Sequence, residues 1–128
     1  MGKVIESVTL CNWSDPTKKR IVDAVVDTGA TLLVLPEEVV EGLALQKIRD
    51  VTVRYANHHT EKKGVYGVVS LTIGDRMGNF DVVQEKRGTQ VLIGQIVLEE
   101  LDLVVNPKKK RLEPNPESPD LPLLEILG

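Results

Sequence analysis

The stretch Ala24-Val25-Val26-Asp27-Thr28-Gly29-Ala30-Thr31 decides how this chain is read. Ile21 to Val26 is an apolar run in which Asp23 is the one charge. Valine and isoleucine are stiff at the first side-chain torsion and pack well on a pleated surface, so the run reads as a strand. It ends directly on an aspartate. A carboxylate taken out of water needs hydrogen-bond donors, or it takes up a proton. Thr28 offers a hydroxyl, and Gly29 offers a backbone amide that the missing side chain lets approach closely. The segment therefore reads as a carboxylate held at a tight turn inside a sheet. A structural carboxylate capping a turn is the bland alternative.

Working outward, the apolar runs are short and bounded by turn residues. Val4 to Leu10 reads as a first strand, followed by a turn over Asn12 to Thr17 in which Pro16 presets its own φ. Pro36-Glu37-Glu38 suits the first turn of a helix that stops at Gly42. Val51 to Tyr55 and Val65 to Ile73 read as the arms of a hairpin with residues 57–63 at its tip. Residues 74–79 read as another turn before a strand at Phe80 to Gln84. Gln90 to Ile93 reads as a strand, Gln95 to Leu101 as a short amphipathic helix, and Leu103 to Val105 with Lys110 to Leu112 as a last hairpin. A faint repeat emerges: apolar strand, glycine turn, helix, once at Ala24 to Gly29 and again at Gln90 to Gly94. In that alignment Leu92 stands opposite Asp27.

The ordered set resembles the retropepsin-like aspartic proteases, in their single-domain prokaryotic form. Ala24 to Thr31 resembles the DTGA active-site loop, and Leu33-Val34-Leu35-Pro36 before a short helix is similar to the family's next strand and helix. Tyr55-Ala56-Asn57 resembles the start of the flap. Val91-Leu92-Ile93-Gly94 with Leu98 and Leu101-Asp102-Leu103 resembles the second strand-glycine-helix unit, and Val104 to Leu112 the closing strands. The resemblance spans residues 4–112. It implies an all-β protomer, a closed acid-protease-like barrel with one or two short helices. It implies an aspartic endopeptidase with Asp27 as catalytic residue, Thr28 and Gly29 supporting the loop, and Ala30, Tyr55, Ala56, Asn57 and His58 meeting an extended peptide under a flap. No cofactor and no metal are expected. The chain carries one DTG where the chemistry needs two carboxylates, so the resemblance implies a homodimer with one Asp27 from each copy. A catalytically weak or inactive dimeric peptide-binding module is the alternative function. The sequence departs from the family where glycine is common near the flap tip: here Asn57-His58-His59 stands instead.

Composition bounds the rest. The chain has 128 residues, enough for one domain. We expect a protease domain over residues 1–113 and a Pro-rich arm or linker over 114–128, where Pro114, Pro116, Pro119 and Pro122 cluster. The apolar end, Leu121 to Leu127, is expected to dock on its own domain or on a partner. A net charge of −3 lacks the basic footprint of a nucleic-acid binder. No apolar run approaches the ~18–20 residues of a membrane span. Neither nucleic acid nor membrane is therefore an expected partner; protein or peptide substrate and a second copy are the partners that the resemblance implies. The start at Met1-Gly2-Lys3 has no signal-peptide core and lacks the myristoylation pattern, so the cytoplasm is the expected location. Cys11 stands alone, which excludes an internal disulfide, and reads as a buried small hydrophobe. Trp13 reads as a core or interface anchor. His58 and His59 read as a solvated tip, since the HxE-like His59-Thr60-Glu61 has no PCxxC to follow it. Lys108 to Arg111 reads as a solvated turn. Asp23 is no second catalytic acid, because four extended residues place it ~13 Å from Asp27.

Overall fold

Alternation of side chains builds the sheet: along Arg76 to Val82 every second residue is buried and the intervening Met77, Asn79 and Asp81 face out. The computed structural model describes residues 3–126. The Met1-Gly2 start and Leu127 of the apolar end, with the outer limits of the expected 1–113 and 114–128 division, lie outside the described residues. Nine strands and two short helices follow in the order β1 (Ile5–Asn12), β2 (Asp15–Val26), β3 (Leu33–Pro36), α1 (Glu37–Gly42), β4 (Gln46–Arg54), β5 (Thr60–Ile73), β6 (Arg76–Glu85), β7 (Val91–Ile93), α2 (Gln95–Leu101), β8 (Leu103–Asn106) and β9 (Arg111–Pro114). The chain is all-β, as expected from its valine-rich runs.

The main sheet closes on itself. Its order is β1-β2-β7-β3-β6-β5-β4, and β1 also pairs with β5, so six strands make a ring and β4 hangs from β5 outside it. Closure removes the open edges that a flat sheet would present. Leu10, Leu33, Leu35, Leu71, Val82 and Ile93 fill the interior, with Val97 and Leu101 of α2 packed against them. β5 explains the hairpin: its first half pairs with β4 from Thr60 to Gly67, and its second half pairs with β1 from Val69 to Thr72. One strand therefore belongs to the barrel at one end and to a projecting hairpin at the other.

Three expected turns are shorter than read. The first is Trp13-Ser14, held by the Asn12 carboxamide oxygen, which accepts from the Ser14 amide and hydroxyl at 2.9 Å each. Pro16 thus lies in β2. The second is Gly74-Asp75, with Gly74 at φ +60, while Met77 to Asn79 already pair with Ser70 to Thr72. The third, the hairpin tip, is Tyr55 to His59 instead of residues 57–63, because Thr60 to Lys63 pair with Val51 to Arg54. Trp13 is 60% exposed and so is no core anchor, and Cys11 is half-buried.

The Pro-rich segment is tied down where it leaves β9. Buried Arg76 donates to the carbonyls of Leu101 and Asp102 at 3.0 Å each and to the carbonyl of Ser118. The Asp102 carboxylate accepts from the Ser118 hydroxyl, from the Asn115 carboxamide at 3.1 Å and from the Leu123 amide at 2.9 Å. Along and past that knot the side chains of Leu121, Leu123, Leu124 and Ile126 are exposed. Among the described residues no helix is long and apolar enough to cross a membrane.

Candidate active site

The Asp27 turn is held from the far end of the chain. β7 lies between β2 and β3, parallel to the first and antiparallel to the second, so the loop joining β2 to β3 passes over the end of β7. The Asp27 amide donates to the Ile93 carbonyl at 2.9 Å. The amides of Gln95 and Ile96, opening α2, donate to the carbonyls of Ala30 and Thr31 at 2.9 and 3.0 Å. Gly94 makes this possible: a Cβ there would lie 2.6 Å from the carbonyl oxygens of both Ala30 and Leu32. The two glycine turns of the sequence repeat are therefore fastened to each other through the backbone.

Within the turn, the Gly29 amide donates to Asp27 Oδ1 at 2.9 Å, and the Ala30 amide to the Asp27 carbonyl at 3.1 Å. The amide donor expected of Gly29 is in place. The hydrogen bonds among the described residues include none from the Thr28 hydroxyl to Asp27. Asp27, Thr28 and Gly29 are exposed on the single chain, and Ala30 is half-buried. The carboxylate read as desolvated is thus open to solvent in one copy. Beside it Val4, Val26, Val105 and Pro107, with Lys3, Lys110 and Thr28, line a cavity of about 400 Å³.

The other predicted residues lie together at the hairpin tip. The Tyr55 amide donates to the His59 carbonyl at 2.8 Å and the His58 amide to the Tyr55 carbonyl at 2.9 Å, which closes the turn. Asn57 caps it by accepting from the His59 amide at 3.0 Å. His58 takes φ +66, the left-handed region that glycine enters without steric cost. Histidine thus occupies a glycine-like conformation at this tip. Ala56, Asn57, His58 and His59 are exposed, as a solvated tip requires.

Tyr55 reaches back to the barrel. Its hydroxyl donates to Glu85 Oε2 at 2.5 Å, at the end of β6, and Lys63 Nζ of β5 meets Glu85 Oε1 at 2.9 Å. Burial, with the hydrogen bond to Glu85, pushes the Tyr55 phenol up to about 12. Burial alone would raise the Glu85 carboxyl, but the bonds from Tyr55 and Lys63 outweigh it and hold the group below its ordinary value. The Glu85 hydrogen bond raises Lys63. A groove of about 350 Å³ adjoins this bridge, lined by Tyr55, Glu61 and Glu85 together with Val34, Leu92 and the polar Lys86, Thr89 and Gln90. Val34 and Leu92 pair directly across β3 and β7; β3 follows the Asp27 turn, and β7 ends at Ile93, whose carbonyl accepts from the Asp27 amide. Sequence reading misses Glu85 and Lys63. Gly94 is visible as the glycine of the second repeat, but its contact with the first is not.

A family model described as gag-polyprotein putative aspartyl protease matches residues 17–100. That span includes the Asp27 turn, the hairpin and the Gly94 turn. No curated protein matches the chain.

Proposed function

Since the chain belongs to the gag-polyprotein putative aspartyl protease family, retropepsin-like in kind, we propose that it is an aspartic endopeptidase whose dyad is Asp27 from each of two identical copies. The observation that carries this reading is the Asp27 turn itself. An exposed carboxylate, with one oxygen fixed by the Gly29 amide, stands at the surface of a protomer that has one DTG. The cavity lined by Thr28, whose walls are valine and proline with Lys3 and Lys110, supports a partner's approach at that place. An isologous pairing brings the same turn to itself.

Two carboxylates at close range cannot both ionise easily, so they share one proton, and the pair titrates as a unit. The ionised member takes a proton from a water molecule, whose oxygen attacks the scissile carbonyl carbon. The protonated member gives its proton to the carbonyl oxygen. From the tetrahedral diol that results, the member now protonated gives its proton to the amide nitrogen while the ionised member takes one from a diol hydroxyl, and the C–N bond breaks to leave an acid and an amine. Asp27 supplies base and acid in turn, and no covalent enzyme intermediate forms. The peptide lies extended in the groove lined by Val34 and Leu92, between Ala30 and the hairpin tip, and is held by strand-like backbone hydrogen bonds.

The test compares the purified chain with Asp27→Asn on an unfolded protein substrate. Cleavage that falls by about 10²–10⁴-fold or more in the variant, with dimerisation retained in sedimentation, meets the reading. Binding by both proteins without cleavage by either, at any pH, would instead establish the peptide-binding module.

A further inference from the structure

Tyr55 bonds the hairpin tip to the end of β6, and both ends of that bond, Tyr55 and Glu85, line the groove. Its hydroxyl is 2.5 Å from one Glu85 oxygen, and Lys63 is 2.9 Å from the other. The Lys63 and Glu85 side chains are 12% and 17% exposed, so this ion pair is shielded from solvent as surface pairs are not. The same lysine lies 3.5 Å from Glu61, and Glu61 lies 3.3 Å from His59, whose ring stacks on Tyr55 at 6.2 Å. Tip, hairpin arm and β6 thus form one connected group. Val34 and Leu92 line the same groove, and β3, which holds Val34, follows the Asp27 turn.

We infer that Tyr55, Glu85 and Lys63 form a latch that fastens the hairpin tip over the groove, and that an extended peptide enters only after the Tyr55–Glu85 bond opens. The inference rests on the proposed function for what the groove receives. The latch itself rests on the contacts alone. Glu85 is a positioning residue in this scheme: it acts on the peptide through the place it gives Tyr55. A closed latch reduces the fraction of binding-competent protein, and apparent affinity and entry rate fall with that fraction.

The experiment uses full-length protein in the Asp27→Asn background, which removes cleavage, with fluorescein-labelled unfolded casein as probe. Association rate is read by stopped flow, and hydrogen exchange is read over residues 55–63. Tyr55→Phe keeps the ring and Glu85→Gln keeps the shape. Each is expected to speed casein association and tip exchange, Tyr55→Phe by about tenfold and Glu85→Gln by less, because its amide still accepts from the phenol. In Tyr55→Phe the phenol's bond to Glu85 is already gone, so adding Glu85→Gln is expected to speed association less than Glu85→Gln does in the otherwise unaltered protein, only the Lys63 contact being left to weaken. Unchanged or slower association in Tyr55→Phe and Glu85→Gln, or a double variant whose effect is the product of the singles, overturns the latch as a gate. If the unlatched protein binds no casein and the wild type cleaves nothing, the functional reading fails. Tip exchange still decides the latch: acceleration upholds it, and exchange at the wild-type rate in Tyr55→Phe overturns it.

Discussion

A carbon added at Gly94 would sit 2.6 Å from two backbone carbonyl oxygens, Ala30 and Leu32. Neither can swing away, as a side chain would, without unseating the Asp27 turn. Gly94→Ala is therefore expected to destabilise the protein by about 1–3 kcal/mol, the usual cost of overpacking, seen as a lower midpoint in thermal unfolding. Proteolysis is expected to fall further than stability does, since the displaced loop is the one that aims the carboxylate. Gly29 is less constrained, because a Cβ there meets only the Asp27 side-chain oxygen, at 3.3 Å. Asp27 is legible in the sequence because its turn is local: strand, aspartate, threonine and glycine stand in consecutive positions. Tyr55 is legible by position but its partner is not, because Glu85 lies 30 residues further on and nothing in the chain between them announces the bond.

At the scale of elements, the hairpin shows why sequence misplaces its tip. Thr60 to Lys63 are polar on both faces of their strand, the exposed Thr60 and Lys62 and the partly buried Glu61 and Lys63 alike, and polar residues serve equally in a loop and in a strand. The barrel strands, buried on one face, carry the apolar alternation that makes them readable. The hairpin's fastening also has a predicted pH range. The Glu85 carboxyl is held below its ordinary value of 4.5, so its contribution is complete above that value and is lost as pH falls through the lowered one. Tyr55 and Lys63 are raised, so theirs is complete below their ordinary values and is lost as pH rises, for Tyr55 through about 12. Glu61 and His59 also adjoin the group. Hydrogen exchange over residues 55–63, corrected for its intrinsic pH dependence, is thus expected to be slowest between these limits. Acceleration below the carboxylate range should vanish in Glu85→Gln, and a profile that is the same in both proteins would contradict the account.

For the molecule as a whole, a six-stranded ring closes around one core, and among what it leaves at the surface are the Asp27 turn and the apolar end of the chain. Composition alone points to docking of that end on its own domain or on a partner. Arg76 and Asp102 hold the segment from Asn115 to Leu123 against the barrel, whereas the side chains of Leu121, Leu123, Leu124 and Ile126 remain exposed. The prolines are plain in the sequence but this knot is not, because a buried arginine looks like any other charge until its acceptors are known. Arg76→Met keeps the aliphatic stem and abandons the carbonyls of Leu101, Asp102 and Ser118. It is expected to cost about 1.5–3 kcal/mol, measured by denaturant unfolding, and to expose residues 115–123 to limited proteolysis. The larger claim is that one chain holds half of a catalytic pair, and it is tested most directly by mixing. Wild type and Asp27→Asn are combined in varying proportion, allowed to exchange subunits, and assayed at fixed total protein. If each active centre needs both carboxylates, activity follows the square of the wild-type fraction, so an equal mixture retains about one quarter of the full rate. Activity in linear proportion to the wild-type fraction, leaving about one half after exchange is verified, would show that a single Asp27 suffices and would contradict the account.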